Sequence, residues 1–162
     1  MIGHPQVSDV VVAPIPPPAV IYPFDHVGSP CVDDVRLLAE MACSECLICS
    51  REERAAVMQV AVNRARKPGW WGRDLVSVLG KKWQFAPLHP TCSPERVAVL
   101  ESEARQILIG VGSDPTRGAV YFHAKTIPLP WPEASVDEAL LPGTWLHRFY
   151  RVENRKRNGG AA

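Results

Sequence analysis

Glu40 stands in the run Leu37-Leu38-Ala39-Glu40-Met41-Ala42, a carboxyl group among apolar neighbours. Such surroundings disfavour the anion and raise the pKa, as a proton donor working near neutral pH requires. Glu40 is therefore the first candidate for a catalytic acid. The plain alternative is an ion pair with Arg36 one turn earlier, worth roughly 0.2–0.5 kcal/mol on a wet helix face. Glu45 and Glu52 are further carboxylates close by. Further along come Gln84-Phe85, Tyr121-Phe122-His123 and His147, which combine ring faces with hydrogen-bonding groups. Core packing is the competing role for each of these aromatics.

The cysteines form a second constellation. Cys43, Cys46 and Cys49 make a C-x2-C-x2-C run, with Cys31 and Cys92 elsewhere. Three thiolates at that spacing suit one zinc ion or iron–sulfur cluster, with Cys31, Cys92 or His89 as the missing ligand. The same spacing is also a helical stripe of packed thiols, and a disulfide through Cys31 or Cys92 is a third possibility. Packed thiols are the expectation; no metal and no cofactor is expected. Were metal bound, the chain would read as a small zinc-stabilised module with Glu40 merely structural.

These residues need elements to hold them. A helix is predicted from Asp33 or Asp34, acidic residues suited to its positive end, to about Ala42. Ser50-Arg51-Glu52-Glu53 reads as a capping box, Ser50 accepting from the Glu53 backbone while the Glu53 side chain reaches back; this helix runs to about Arg66 before Lys67-Pro68-Gly69. It is apolar nearly all round except for Glu52, Gln59 and Asn63, a line that either braces the helix or opens onto a cleft. A short helix spans Asp74 to Leu79, and another runs from the Ser93 cap and Pro94 to Gly110. Residues 120–123 and 145–152 are predicted strands, and 126–143, with Pro128, Pro130, Pro132 and Pro142, a loop.

Composition sets the frame. The 162 residues are 46% hydrophobic and 22% charged with a net charge of +1, which fits one soluble domain and gives no global field to recruit nucleic acid. Residues 1–30 are proline-rich and read as an extended arm or linker, 31–152 as the domain, and 153–162 as a basic, glycine-rich tail. No stretch has the ~18 apolar residues of a membrane helix, and no basic-then-apolar secretory leader is visible at the N-terminus. There is no glycine-rich phosphate loop, and no Ser/His/Asp order has supporting context.

Five segments in order resemble the SleB-type cell wall hydrolases, which include the germination-specific spore cortex-lytic enzyme and many phage and bacterial relatives. These are Ala39-Glu40, Gln59 to Arg64, Gln84-Phe85, Asp114 to His123, and His147, and the likeness covers roughly residues 35–150. One departure is the segment Met41 to Cys49, which is longer than the family's Ala-Arg-Gly-Glu continuation and lacks its glycine. The resemblance implies an α+β fold, a mainly helical lysozyme and lytic-transglycosylase-like domain with a small antiparallel sheet. It also implies cleavage of the β-1,4 bond between N-acetylmuramic acid and N-acetylglucosamine in peptidoglycan, with Glu40 as acid and then base. Gln84, Phe85, Tyr121, Phe122, His123 and His147 would then bind the glycan, and Glu45 or Glu52 would be the second carboxylate of a hydrolytic variant. The expected partner is the glycan strand, met by a monomer in the wall. With no leader, the chain is expected to be made in the cytoplasm and carried out by other means, as phage lysis enzymes are. A wall-binding domain without turnover is the remaining reading.

Overall fold

The computed structural model describes residues 32–67, 69–129, 136–139 and 141–152. The proposed arm at 1–30 and tail at 153–162 lie outside the described residues, as does Cys31. Four helices come first, α1 (Val32–Glu45), α2 (Arg51–Arg66), α3 (Leu75–Gly80) and α4 (Pro94–Leu108). Three strands follow, β1 (Tyr121–Ala124), β2 (Val136–Ala139) and β3 (His147–Val152). This is an α+β architecture, mainly helical with a small antiparallel sheet.

Helix α2 is the hub. Its run Ala56-Val57-Met58 and Val60-Ala61-Val62 is fully buried, so the helix is apolar around most of its circumference and is wrapped by the others. Helix α1 lays Val35, Leu38, Ala39 and Ala42 against α2 and α4, and α4 returns Val97, Leu100, Ala104 and Leu108 to the same core. Burying a Leu38 or a Phe149, both at 0% exposure, contributes about 1.5–3 kcal/mol each. Bidentate bonds from Arg54 to Glu103 at 3.0 and 3.1 Å tie α2 to α4 at the rim.

The sheet has order β1-β3-β2, both pairings antiparallel, with Phe122 opposite Phe149 and Ala124 opposite His147. Alternation along the strands puts Phe122, His147 and Phe149 on one face and Tyr121, His123 and Tyr150 on the other.

Four expectations are corrected. Helix α1 runs past Ala42 to Glu45, because Cys43 is buried and tied to Cys92 while the Cys46 N–H still reaches Ala42 O at 3.0 Å. Segment 126–143 is not all loop. Its prolines bracket a proline-free stretch, Val136–Ala139, which pairs with β3 as an edge strand. Only half of the box at α2 forms: Ser50 accepts from the Glu53 N–H at 3.1 Å, but the Glu53 carboxylate is engaged at β3 instead. Finally, the four cysteines among the described residues are neither packed free thiols nor a three-cysteine metal set: the alternative of a disulfide through Cys92 is the one that forms, with Cys43, and Cys46 pairs with Cys49.

Candidate active site

The C-terminal end of α1 delivers Glu45 to the junction of three pieces of chain. The Ala86 N–H donates to Glu45 Oε1 at 2.5 Å, and the neighbouring His89 N–H donates to Ser44 Oγ at 3.0 Å, so the loop after Phe85 is fastened to the end of α1. Burial pushes the Glu45 carboxyl above the usual range; the Ala86 N–H and the charges of His147 and Arg64 pull the other way. A groove of about 250 Å³ opens beside this junction, with Ser44, Met41 and Glu40 on one wall and Phe85, Ala86 and Pro87 on the other.

Arg64 lies behind the Phe85 ring. It is 5% exposed, a burial tolerable for a guanidinium only if its donors are used. Its Nε donates to Val120 O at 2.7 Å and its Nη1 to Gln84 Oε1 at 2.9 Å, while its carbon lies 4.9 Å from the centroid of the Phe85 ring. Burial lowers its pKa to about 10, against the opposing influence of Tyr121 and Glu45. Gln84 uses its other end on Trp71 O at 3.0 Å, so it braces Arg64 and the Trp71 turn together.

His147 is set by Glu53. A single oxygen of this buried carboxylate accepts from Leu146 N at 2.6 Å and His147 N at 2.8 Å, and lies 2.9 Å from His147 Nδ1. Phe122 and Phe149 meet the imidazole edge-on at 5.5 and 6.4 Å. His147 also borders a second opening of about 270 Å³, formed with Lys125, Glu138, Leu141 and Arg148.

The turn at Asp114 positions β1. Asp114 accepts from the Thr116 N–H, the Thr116 hydroxyl and the Gly118 N–H at 2.7, 2.7 and 2.6 Å. Gly118 sits at φ +87°, where a side chain would be strained. From α2, Asn63 Nδ2 reaches Asp114 Oδ2 at 2.9 Å, Thr116 Oγ1 at 3.2 Å and Ala119 O at 3.0 Å, and its Oδ1 accepts from Gln59 at 3.0 Å. The polar line of Gln59 and Asn63 is thus a brace.

The sequence candidates divide accordingly. Phe85, Phe122 and His147 gather with Glu45, and Gln84 stands behind Arg64. Tyr121 and His123 fall on the other face of the sheet, His123 stacked on Tyr150 with its Nε2 2.9 Å from the hydroxyl. Glu40 lines the groove but is ion-paired with Arg36 at 3.0 Å, its side chain 24% exposed. Glu52 is exposed, and hydrogen bonds from its own backbone and from Ser50 hold its carboxyl below the usual range. Arg64 and Glu53 build the site as well, and neither stands among the sequence candidates. Their signal was a charge within a helix otherwise apolar all round.

The model of the Cell Wall Hydrolase family matches residues 50–150, a span that takes in α2, the Gln84-Phe85 loop, the Asp114 turn and β3. The chain belongs to the cell wall hydrolase family. Membership makes it a wall-degrading enzyme with peptidoglycan as its substrate. Comparisons with curated proteins and with solved structures return no significant match. No helix among the described residues is long and apolar enough to cross a membrane. The family match begins C-terminal to both Glu40 and Glu45, so the choice of acid falls to the geometry of α1.

Proposed function

We propose that this cell wall hydrolase cleaves the β-1,4 bond between N-acetylmuramic acid and N-acetylglucosamine as a lytic transglycosylase, with Glu45 as the proton donor. The observation that carries the reading is the position of Glu45: half-buried, held by the Ala86 N–H, under the charges of His147 and Arg64, and flanked by Ser44 and Ala86, which line an open groove. Glu40, the residue first suggested by its apolar neighbours, lies five positions earlier on α1. It therefore projects about 140° away around the helix axis.

In the proposed reaction Glu45 gives its proton to the bridging oxygen, and the bond from that oxygen to the muramoyl C1 breaks. The resulting carboxylate takes the proton of the muramoyl 6-hydroxyl, whose oxygen bonds to C1 and closes a 1,6-anhydro ring. The proton is returned to Glu45 and no water is consumed. His147, held by Glu53, and Arg64 stand where they favour the carboxylate stage. The ring of Phe85 and the wall of Met41 and Ser44 support one sugar on one side, and the opening at Leu141 and Arg148 supports the strand on the other.

A hydrolytic variant is the second reading, favoured by Glu40 lining the same groove. One experiment separates them: digestion of purified peptidoglycan by wild type, Glu45→Gln and Glu40→Gln, with sugar ends identified by mass spectrometry. The expected result is anhydro ends from wild type, a loss of about 100-fold or more in Glu45→Gln and substantial turnover in Glu40→Gln. Reducing ends from wild type would refute the transglycosylase step. Undiminished cleavage by Glu45→Gln would remove that residue from the chemistry.

A further inference from the structure

The short link between α1 and α2 brings two sulfurs that the proposed reaction leaves unused against the imidazole of His147 on β3. Sγ of Cys46, Sγ of Cys49 and a ring nitrogen of His147 lie within 4.8 Å of one another, with Cys49 Sγ 3.9 Å from His147 Nδ1. In the structure the two sulfurs are joined as a disulfide. We propose that when this disulfide is reduced, Cys46, Cys49 and His147 bind one zinc-class divalent cation, so that the link is either a covalent bridge or a metal site according to redox state.

The ligand chemistry and the spacing agree. Zinc takes thiolates at about 2.3 Å and imidazole at about 2.0–2.1 Å, so tetrahedral ligand atoms stand about 3.5–3.8 Å apart. The Cys49–His147 separation needs only a small contraction, and the sulfurs of a Cys-x2-Cys link need only to part from bonding distance. Cys49 immediately precedes Ser50, the N-cap of α2, where the positive end of a 16-residue helix favours thiolate. Cys43 and Cys92 are committed to each other 49 residues apart, which leaves the Cys46–Cys49 pair as a separate unit.

The surroundings tolerate the exchange. Glu53 shares His147 Nδ1, yet its oxygen also accepts from the backbone N–H groups of Leu146 and His147, so it keeps two donors if that nitrogen turns to metal. Two thiolates balance a divalent cation, and the part-buried site gains no net charge. The fourth position is left to water. In chemical terms, a thiol or phosphine reductant supplies two electrons, two protons convert the sulfurs to thiols, and the cation then displaces those thiol protons.

The test uses the full chain, phosphine-reduced without oxygen, freed of reductant and titrated with zinc, or with cobalt(II) as a spectroscopic stand-in. Expected are one zinc per chain in the reduced protein, none in the oxidised protein, and a thiolate-to-cobalt charge-transfer band. Cys49→Ser should weaken binding at least 100-fold and His147→Ala at least tenfold, whereas the Cys43→Ser/Cys92→Ser double variant should keep the site. X-ray absorption of the wild-type zinc form gives a readout independent of any variant's folding, with two sulfur and one imidazole scatterer expected. Absence of stoichiometric zinc, a sulfur count other than two, or unchanged binding by folded Cys49→Ser would overturn the proposal.

Discussion

Replacing Asn63 by alanine should unlock the joint between α2 and the turn that starts β1. Asn63 is 5% exposed and its amide is surrounded by partners: Gln59 donates to it, and it donates to Asp114, Thr116 and Ala119 O. Asp114 keeps its bonds to Thr116 and Gly118 in the variant. The Gln59 amide and the Ala119 carbonyl, however, lose the partner that Asn63 gave them in a buried place. At about 1–3 kcal/mol for each orphaned group, the loss is about 2–6 kcal/mol, which at the upper end equals the whole stability of a marginal domain. A drop in Tm of about 8–16 °C corresponds to the middle of that range for a chain of this size. The assay is urea unfolding with both disulfides intact, alongside a thermal scan. Asn63→Asp should be no better, because its carboxylate would face Asp114. A loss below about 0.5 kcal/mol in Asn63→Ala, within the range of an ordinary surface change, would refute the view that this amide locks the turn.

Opening the Cys43–Cys92 bridge by a double serine substitution should cost about 4 kcal/mol on the chain-entropy account of its 49-residue separation, read as a lower urea midpoint. Ser50→Ala removes the N-cap acceptor of α2 and should lower stability by about 1 kcal/mol in the same assay. Gln84→Ala strips Arg64 Nη1 of its acceptor and Trp71 O of its donor, so stability should fall by about 1–3 kcal/mol. Cleavage of peptidoglycan by that variant, measured well below its Tm, should fall as well, because Arg64 underlies Phe85.

The helices were legible because their signals are local. Ser50, Asp74 and Ser93 are hydroxyl or carboxylate caps, and each accepts a backbone N–H at the start of its helix. Strand β2 was not legible, since proline density around it masks a short stretch whose only reason to be extended is the β3 edge beside it. The surroundings of the two α1 carboxylates were harder still. Apolar neighbours in sequence drew attention to Glu40, but neighbours along a helix do not say which way a side chain faces, and the groups that set Glu45 apart come from Ala86, Arg64 and His147, far away in the chain. Glu53 shows the same limit: its place in a capping box was clear, while its carboxylate is drawn off by N–H groups more than ninety residues later.

The Cys43–Cys92 bridge also has a bearing on how the molecule meets proteases. It spans the exposed stretches Lys81 to Trp83 and Pro87 to Thr91, so a cut there would leave two polypeptides still joined by sulfur across the core. Clipped material should co-migrate with the intact chain on a non-reducing gel and separate into two bands only once thiol is added. An enzyme secured in this way loses the continuity of its backbone before it loses its shape.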